Sequence, residues 1–426
     1  MSEFSELNPY YLFLTSSPMW HDLKVKKDFP IFAHNPKLVF LDNAATTQKP
    51  GSAINAEKEF YETTYANIHR AMYDIASRAT EMFEGVRIQV GEFIGADSPA
   101  QEIIFTRNAS EALNLAAYIE GQRLQAGDEI LVSVAGHHSN ILPWMRIASE
   151  KKLKLEWLEI GEDGRLDSKG LKEKLNSNVK VVVLEHVSNV LGYVNPIKDL
   201  CSTIHEVGAR VVVDAAQSSC RMPIDVTDLD VDYMAFSGHK MYGPTGSGWL
   251  YAKKELLEIA SPLLSGGGTI KKVTREEIVW ADSPFRFEAG TPDIASVIGL
   301  GATLDYLFAV GMEAVWEHDQ EVMQYGLKEL HKLPFVKLFG PISTENRAAI
   351  FSFTVQDAKG NGIHPHDVAE ICNSAGVAIR GGHHCAQPLM QVLGVETVNR
   401  ASVGIYNTPA DIDALIAALT KAHTTF

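Results

Sequence analysis

The chain has 426 residues, 46% of them hydrophobic, which is long enough for two lobes or for one large domain with an appendage. Its formal net charge of −15 argues against nucleic acid as a partner, because proteins that bind the phosphate backbone concentrate positive charge. The sequence has no apolar window of about 18 residues and only 4 scattered cysteines without a CxxC pair, so we expect no membrane span, no disulfide framework and a reducing, cytoplasmic location.

Six short apolar runs rich in β-branched residues predict the strands of a parallel sheet that helices cover on both faces. The runs are residues 102–106, 129–134, 154–158, 179–184, 209–213 and 233–236. Between the fourth and fifth runs, residues 196–208 start with proline, carry apolar residues at helical spacing and end with glycine, which is typical of a helix in a β-α-β unit. Ligands bind beyond the carboxyl ends of such strands, so the polar residues directly after the runs are the first candidates for chemistry.

The C-terminal part of the chain has a different texture and predicts a smaller α+β lobe. It contains a helical stretch over 295–333, a short strand over 349–355, a glycine-flanked loop over 380–388 and a last helix from about Ala410. We therefore predict an N-terminal segment over 1–35 that packs with the small lobe, a large domain over 36–295 that holds the ligand, and a small domain over 296–426 that carries the cysteine-containing loop.

Asp214 and Lys240 each follow a predicted strand, and together they favour one cofactor. A carboxylate at the tip of a buried strand is costly unless it pairs with a cation or caps a helix, and the helix cap is the alternative for Asp214. Lys240 lies in the run Ser237-Gly-His-Lys240, where burial or a neighbouring cation lowers the pKa of an amine and favours a Schiff base. An aspartate that keeps a pyridine nitrogen protonated and a Schiff-base lysine are the two protein groups that pyridoxal 5′-phosphate requires.

Two further segments are candidates for the other contacts of this cofactor. The helix start at Asn108-Ala-Ser-Glu111 offers free backbone N–H groups and a dipole that favour a phosphate, with Ser237 and His239 as further donors. The alternative is an ordinary helix N-terminus without a ligand. His137, directly after the run 129–134, is predicted to stack on the cofactor ring, whereas a lone histidine at a strand end is more often a local hydrogen-bonding group.

From Leu41-Asp-Asn-Ala-Ala-Thr-Thr47 to its last helix, the chain resembles the fold-type I pyridoxal phosphate enzymes, and within them the class V aminotransferase-like group that contains the cysteine desulfurases. The runs that carry the resemblance are His186-Val-Ser-Asn-Val-Leu-Gly192, Val213-Asp-Ala-Ala-Gln217, Phe236-Ser-Gly-His-Lys-Met-Tyr-Gly-Pro-Thr-Gly246, Arg286-Phe-Glu-Ala-Gly-Thr-Pro292 and Asn399-Arg-Ala-Ser402. The segment Arg380-Gly-Gly-His-His-Cys-Ala386 resembles the short cysteine loop of the SUF-type (group II) branch. The resemblance implies an α/β fold-type I transferase with a mainly parallel seven-stranded sheet in its large domain, a smaller α+β domain, and a homodimer.

The same resemblance implies a role for each matching site residue. For the cofactor it implies that Lys240 forms the Schiff base, Asp214 contacts the ring nitrogen and Gln217 the ring hydroxyl. It implies that His137 stacks on the ring and that Asn189 lies beside cofactor and substrate. The implied phosphate contacts are Ser237, His239, the backbone of Ala109 and Ser110, and Thr291 of the partner subunit. For the substrate it implies Arg400, helped by Arg380, as the clamp on the carboxylate, a task that suits a bidentate guanidinium fork.

The segment His383-His-Cys385 has three interpretations. A metal site is one, but three adjacent residues rarely point at one ion, and we expect no metal. A buried structural thiol is the second, and we assign that role to Cys201, Cys220 and Cys372 instead. The flanking glycines and proline favour a mobile loop, and a thiol near histidine and arginine favours the thiolate that attacks sulfur. We therefore predict Cys385 as a nucleophile.

Together, the residues and the resemblance predict an enzyme that converts L-cysteine to L-alanine and leaves the sulfur as a persulfide on Cys385. A SUF-type acceptor protein would then take the sulfur toward iron–sulfur cluster assembly. The alternatives are a selenocysteine lyase or a cysteine-sulfinate desulfinase on the same scaffold, a class V aminotransferase-like enzyme in which Cys385 is incidental, and a partner protein that keeps the fold for binding only.

Overall fold

The structure is a computed structural model that describes residues 25–70 and 72–426. The predicted N-terminal segment over 1–35 therefore lies partly outside the described residues. In its described part, the ring of Phe29 is buried and packs edge-on against Tyr406, with centroids 4.8 Å apart. Lys26 pairs with Asp411 of the last helix at 3.6 Å. These contacts attach the start of the described chain to its end.

The described residues form strands and helices in alternation over most of the chain. The strands are β1 (Val39–Phe40), β2 (Ile103–Thr106), β3 (Glu129–Ser133), β4 (Lys154–Leu158), β5 (Val179–Glu185), β6 (Arg210–Asp214), β7 (Tyr233–Ser237), β8 (Gly248–Ala252), β9 (Ile270–Val273), β10 (Ile278–Trp280), β11 (Val336–Phe339), β12 (Ile350–Gln356), β13 (Gly362–Ile363), β14 (Val377–Ala378), β15 (Arg380–Gly382) and β16 (Val398–Ser402). The helices are α1 (Pro30–His34), α2 (Gly51–Thr63), α3 (Asp74–Ile94), α4 (Pro99–Glu102), α5 (Ala109–Gly121), α6 (His138–Lys151), α7 (Ser168–Lys174), α8 (Ile197–His205), α9 (Val226–Leu229), α10 (Lys254–Glu258), α11 (Ile294–Val310), α12 (Met312–Leu330), α13 (Pro365–Ser374), α14 (Gln387–Val392) and α15 (Pro409–Thr425).

The central sheet has seven strands in the order β2-β8-β7-β6-β5-β3-β4, so the predicted mainly parallel seven-stranded sheet is confirmed. Each of the six predicted strands is present. The seventh, β8, was not predicted; it is buried along its length and runs antiparallel to both of its neighbours. The connection from β7 to β8 spans only residues 238–247, and a parallel crossover needs a dozen or more residues, so an antiparallel return is the accessible geometry.

The sheet brings the predicted polar residues to one edge. Asp214 is the last residue of β6 and Ser237 is the last residue of β7, and these strands are parallel neighbours. The helices α5 and α6 start just after β2 and β3, so their N-termini point to the same edge. The predicted helix over 196–208 is observed as α8. The carboxyl ends of the strands therefore form the floor of any ligand site, as the rule for open parallel sheets predicts.

The smaller α+β lobe is also confirmed. Its sheet has the order β11-β12-β16-β15, with β13 pairing to β12, and α13 and α15 pack against it. The helical stretch expected over 295–333 is two helices, α11 and α12, which bend by 74° at Gly311, where the φ of 86° favours glycine. The helix α11 packs on α2 and α3, whereas α12 packs on α15. The division of the chain at residue 296 stays a prediction.

In the described part of the chain, no single helix has the length and apolar content to cross a bilayer.

His186, directly after β5, gives a prediction about stability. It is buried, its Nδ1 has no hydrogen-bond partner among the described residues, and burial lowers its pKa to about 4. Below pH 6.5 the unfolded chain binds a proton here that the folded chain does not, so the free energy of unfolding falls as the pH falls. Between pH 7 and pH 5, we expect the free energy of unfolding of His186→Leu to fall by about 2 kcal/mol less than that of the parent protein. Urea unfolding of both proteins at the two pH values measures this, and an equal loss would contradict it.

Candidate active site

One cavity of about 340 Å³ lies where the carboxyl ends of the large sheet face the small lobe. Most predicted site residues line it: Ala109, Ser110, His137, Asn189, Asp214, Ser237, His239, Lys240, Arg380, Cys385 and Arg400. Gln217 is buried next to the lining residue Ala216, and Thr291 is exposed outside the cavity. The role predicted for Thr291 belongs to the partner subunit's site and stays a prediction. The volume is within the usual range for small-molecule sites.

Lys240 lies on a turn that residues of the run 41–47 hold in place. It ends a three-residue 3₁₀ turn that follows β7. The carbonyl oxygen of His239 in this turn accepts hydrogen bonds from the hydroxyls of Thr46 at 3.0 Å and Thr47 at 3.2 Å. Burial lowers the pKa of the Lys240 amine. A lowered pKa increases the neutral fraction of the amine, and the neutral amine is the form that attacks a carbonyl carbon.

Asp214 also lines the cavity, and its carboxyl group is buried. Its Oδ1 accepts a hydrogen bond from the backbone N–H of Ala216 at 2.9 Å. Turns rather than a helix follow it, so the alternative of a helix cap is excluded. Burial raises the pKa of the Asp214 carboxyl, and the nearby Lys240 ammonium lowers it. A buried carboxylate of this kind pairs favourably with a cation placed in the cavity.

The N-terminus of α5 and the end of β7 form a cradle for an anion. Asn108 caps α5 by accepting a hydrogen bond from the Glu111 backbone N–H at 3.0 Å, so the predicted helix start is confirmed. The Ser237 hydroxyl accepts from the Ala109 N–H at 2.8 Å, and Ser110 lines the cavity beside them. Backbone N–H groups at a helix start, together with hydroxyls, are the donors that a phosphate takes.

His137 makes the local hydrogen bond considered for it, and its stacking on the cofactor ring stays a prediction. It caps α6, where its Nδ1 accepts a hydrogen bond from the Ser139 N–H at 3.1 Å, and it also lines the cavity. Burial, followed by the nearby Lys240 ammonium, lowers its pKa to about 3. The ring is therefore neutral near physiological pH, with its proton on Nε2, and a neutral ring can lie against an aromatic ligand.

Unpaired buried atoms test whether pyridoxal 5′-phosphate fits these residues. The Gln217 Nε2 donates to the Ala44 carbonyl at 2.7 Å, while Oε1 of the same side chain is buried without a hydrogen-bond partner among the described residues. A ring hydroxyl is a donor that satisfies this oxygen. The Asp214 carboxylate suits a ring N–H, the Lys240 amine suits an aldehyde, and the α5 cradle suits a phosphate. The residues present fit the cofactor.

Two arginines that line the cavity, Arg380 and Arg400, both contact the carboxylate of Asp42. Arg400 on β16 is 3% exposed; its Nη1 donates to the Asn189 carbonyl at 3.0 Å, and its Nη2 lies 3.4 Å from Asp42 Oδ1. Arg380 on β15 holds Asp42 Oδ2 more closely, through Nη2 at 2.8 Å and Nε at 3.1 Å. Burial lowers the pKa of Arg400 to about 10, so this group stays charged at neutral pH. The Arg400 Nε is buried without a hydrogen-bond partner in the described chain.

The cysteines divide as the sequence predicts. Cys385 is exposed, whereas Cys201, Cys220 and Cys372 are buried. Burial raises the pKa of each of the three buried thiols, which keeps them protonated at neutral pH. Within residues 25–70 and 72–426, no three or more His, Cys, Asp or Glu side chains are grouped as ligands for a metal ion. Cys385 is thus the thiol that is accessible to chemistry, and it lines the cavity.

The prediction of an irregular, mobile loop over 380–388 is only partly correct, because the two ends of this segment belong to regular elements, β15 and α14. The turn between them is anchored as well. The His138 N–H donates to the Cys385 carbonyl at 2.7 Å, and the Gln387 N–H donates to His138 Nε2 at 3.2 Å. The Asn189 amide donates to the His384 carbonyl at 2.9 Å. Hydrogen bonds from His138 and Asn189, which are distant in sequence, therefore order a segment whose glycines would otherwise favour an irregular loop.

The anchored turn is also strained. His384 and Cys385 have φ values of 52° and 55°, in the left-handed region that side chains other than glycine rarely adopt. Such residues cost roughly 1–3 kcal/mol each and persist where surrounding contacts hold them. His384 is buried, and its Nε2 donates to the Val398 carbonyl at 3.0 Å. Loss of an anchor should therefore release the turn.

We expect His138→Ala to increase the rate of Cys385 alkylation by iodoacetamide by roughly three- to tenfold, the effect of losing one hydrogen bond that holds the turn. The variant removes the ring acceptor of the Gln387 N–H and keeps the backbone donor to Cys385. Peptide mass spectrometry after timed alkylation follows the one exposed thiol. Ser139→Ala, which keeps this ring, is the matched control, and an unchanged alkylation rate in His138→Ala would show that the ring does not hold the turn.

Two residues that support the lining of the cavity, Asp42 and His138, were not predicted from the sequence. Asp42 lies in the run 41–47, but this run does not follow a predicted strand, where polar residues were sought. Its partner Arg380 is 338 positions away in sequence. His138 is adjacent to His137 and contacts a residue 249 positions away. The only local signal for Asp42 was one charged residue within a run of small and hydroxylated residues.

The chain is similar to known proteins along nearly its whole length. The family described as aminotransferase class V matches residues 39–415. A protein of Streptomyces coelicolor named a probable cysteine desulfurase is 43% identical over 94% of this chain and 97% of its own length. The cysteine desulfurase of Pectobacterium atrosepticum is 41% identical, with coverage of 94% and 97%. The solved apo structure of a cysteine desulfurase from Thermococcus onnurineus matches with a TM-score of 0.89 and 36% identity, over 95% of this chain and 98% of that one.

Proposed function

The chain belongs to the class V aminotransferase family, and from that premise we propose that it is a pyridoxal 5′-phosphate-dependent cysteine desulfurase. It converts L-cysteine to L-alanine and transfers the sulfur to Cys385 as a persulfide, from which an acceptor protein takes it for iron–sulfur cluster assembly. The observation that carries the proposal is that Lys240, Asp214, Arg400 and the exposed Cys385 line one cavity.

Residues that line the cavity or lie next to it would hold the cofactor. Lys240 would bind its aldehyde carbon, Asp214 would accept from its ring N–H, and Gln217 Oε1 would accept from its ring hydroxyl. The neutral His137 ring would lie against it, and Ala109, Ser110, Ser237 and His239 would bind its phosphate. When bound, the cofactor supplies an electrophilic carbon for an amine and a ring that accepts the electrons released when a Cα–H bond breaks.

The substrate is oriented by its carboxylate. Arg400 offers its free Nε edge, and the Arg400 Nη1 bond to the Asn189 carbonyl fixes the guanidinium in the plane that a bidentate contact needs. Lys240 Nζ takes the proton from the substrate Cα, a task for which the pKa of the amine must be lowered, as burial lowers it here. Arg400 is fixed within β16 and Lys240 on the turn that follows β7, so the Cα–H bond is presented in one orientation.

Sulfur transfer is the task of Cys385. Its thiolate forms a bond to the substrate Sγ while the substrate Cβ–Sγ bond breaks. The electron pair of the broken bond stays with the three-carbon product, which gains protons and leaves as alanine, and the persulfide remains on the protein. The two sulfur atoms together lose two electrons when the S–S bond forms, and the substrate Cβ gains them when it becomes the methyl carbon of alanine, so no external oxidant is needed. The exposure of Cys385 gives a second thiol access to the persulfide.

Three finer assignments belong to the same proposal. The short turn at 380–386 supports a SUF-type acceptor as the recipient of the sulfur, because a compact turn requires the acceptor to approach the cavity mouth. The exposed Thr291 supports a homodimer, in which it would reach the phosphate of the partner subunit's site. Three buried and unpaired thiols, with one exposed thiol that must stay reduced, support a cytoplasmic location.

The proposal is tested by incubating the holoenzyme with L-cysteine, with and without a thiol reductant. We expect alanine in both reactions, with faster catalytic release of sulfide when the reductant is present, because a thiol must remove the persulfide sulfur. Without it, alanine formation should slow after about one equivalent for each active site, since the substrate is then the only free thiol in solution. Absence of alanine from a protein that has taken up the cofactor would contradict the proposal.

A further inference from the structure

The segment between β5 and α8 carries Asn189 into the cavity, and we call residues 186–195 the Asn189 loop. The two arms of this loop run back along each other, because Val187 pairs with Val194 in an antiparallel bridge. Asn189 begins the turn that joins the two arms. The position of Asn189 in the cavity therefore depends on how firmly the base of the loop is closed.

Asn189 holds two functional groups of the cavity at once. Its carbonyl oxygen accepts a buried hydrogen bond from Arg400 Nη1 at 3.0 Å, and its side-chain amide donates a buried hydrogen bond to the His384 carbonyl at 2.9 Å. His384 directly precedes Cys385 in the strained turn. The position of this one residue thus sets the orientation of the guanidinium that is proposed to bind the substrate carboxylate and of the turn that carries the thiol.

A buried carboxyl group joins the two ends of the Asn189 loop. Glu185 is the last residue of β5 and is 3% exposed. Its Oε1 accepts hydrogen bonds from the Tyr193 hydroxyl and from Asn195 Nδ2, the latter at 3.4 Å, and both donors lie on the returning arm. The Ser133 hydroxyl of β3 donates to the same oxygen at 3.2 Å. The carboxyl group therefore ties the returning arm to the strand end from which the loop starts.

The ring of Tyr193 adds a second connection between the loop and the turn at Cys385. It is buried in an apolar cluster together with Leu191 of the loop, and this cluster also contains Ala386 of the turn and Leu389 of α14. Replacement of this tyrosine by phenylalanine would keep the ring in the cluster and remove only the hydroxyl. The hydrogen bond at the base of the loop can therefore be tested without emptying the core.

We propose that Glu185 is a positioning residue, which holds the Asn189 loop so that Arg400 and Cys385 act on the same substrate. The inference rests on the proposed function for the identity of that substrate. Glu185 itself is not among the residues that line the cavity, so it acts through the loop and touches no reacting atom. Loss of its hydrogen bonds would loosen the guanidinium and the turn together, because both are held by the same asparagine.

The test uses holoenzyme with Tyr193→Phe, which removes one of the hydrogen bonds to Glu185. We expect the rate of Cys385 alkylation by iodoacetamide to rise about threefold, because the turn loses part of its support. The KM for L-cysteine should also rise about threefold, because the Arg400 guanidinium is less firmly oriented. Timed alkylation with peptide mass spectrometry gives the first value, and initial rates of alanine formation give the second.

A second substrate, cysteine sulfinate, separates the two effects. Sulfinate leaves without attack by a thiolate, so kcat for this substrate should stay within about twofold of the parent, while kcat for L-cysteine falls about threefold. The KM should rise for both substrates, because both present the same carboxylate to Arg400. A defect of folding alone would reduce the amount of active enzyme, and would lower both kcat values equally without moving KM.

Two variants are the matched controls. Tyr233→Phe removes a buried hydroxyl that donates to Glu120 at 2.7 Å, at the start of β7, and it should leave the alkylation rate and both KM values within about twofold of the parent. Glu185→Gln keeps an acceptor oxygen for Tyr193, and Glu185 Oε2 has no hydrogen-bond partner among the described residues, so this variant should also stay within about twofold.

Three results would overturn the proposal. They are an unchanged alkylation rate and KM in Tyr193→Phe, the same changes in Tyr233→Phe, and a Glu185→Gln variant that is as impaired as Tyr193→Phe. Alkylation needs no turnover, so if the parent holoenzyme forms no alanine from L-cysteine, the proposed function is wrong and the alkylation rates still decide the role of Glu185. If the parent forms alanine and Tyr193→Phe matches it in every readout, only the role of Glu185 is wrong.

Discussion

Lys240→Ala is expected to reduce alanine formation from L-cysteine by at least about 10³-fold, because the variant loses both the amine that carries the cofactor and the base at the substrate Cα. The geometry behind this expectation is specific. Lys240 lies in a cavity with Asp214 and His137, on a turn that two threonine hydroxyls hold, and burial lowers the pKa of its amine. Alanine quantified by amino acid analysis in timed reactions gives the rate. Bound phosphate ester, released by denaturation, gives the cofactor content separately.

Two matched variants sharpen the result. Lys240→Arg keeps the positive charge but replaces the amine with a guanidinium that does not lose its proton near neutral pH, so it should be as inactive as Lys240→Ala. Lys198→Ala removes an exposed lysine that pairs with Asp228, and it should retain the rate of the parent. A Lys240→Arg variant with more than about a tenth of the parent rate would show that the site needs only the charge.

Cys385→Ala is expected to retain the cofactor and its colour and to lose at least about 10²-fold in alanine formation from L-cysteine. Cys385 lines the same cavity as Lys240, and it is the exposed one of the four cysteines. Without its thiolate, the substrate Cβ–Sγ bond has no acceptor for its sulfur. The measurement is alanine formed from L-cysteine, compared with alanine formed from cysteine sulfinate.

The second substrate is the internal control. Sulfinate leaves without attack by a thiolate, so we expect Cys385→Ala to keep most of the parent turnover of cysteine sulfinate. Cys372→Ala removes a buried thiol on α13 and should keep the turnover of both substrates. Full turnover of L-cysteine by Cys385→Ala would show that Cys385 is not the nucleophile.

The parallel part of the fold could be predicted from sequence because its strands are short runs bounded by turn signals and separated by helical segments, and β5 and β6 are buried runs of β-branched residues. The strand β8 was missed because it follows β7 after only residues 238–247, and its place between β2 and β7 depends on the whole sheet. The break at Gly311 was missed because apolar spacing continues through it, and only the positive φ ends the first helix.

The polar residues of the site divide in the same way. Asp214 and Lys240 could be identified because each lies at or just after the end of its own strand, so a local pattern places it at the sheet edge. Asp42 could not, because its contacts are with two arginines on β15 and β16, more than 300 positions later in the chain. The order of the turn at Cys385 depends on His138 and Asn189, which belong to other elements. Local patterns therefore predict single residues at strand ends, and contacts across the two lobes require the structure.

The central claim is that sulfur from the substrate is carried by Cys385, and one measurement tests it most directly. Holoenzyme is mixed with L-cysteine in the absence of reductant, quenched, digested without reducing agents and analysed by peptide mass spectrometry. The account predicts one added sulfur atom on the peptide that contains Cys385, in an amount equal to the alanine formed. Alanine formed in that amount with the Cys385 peptide unmodified would contradict it.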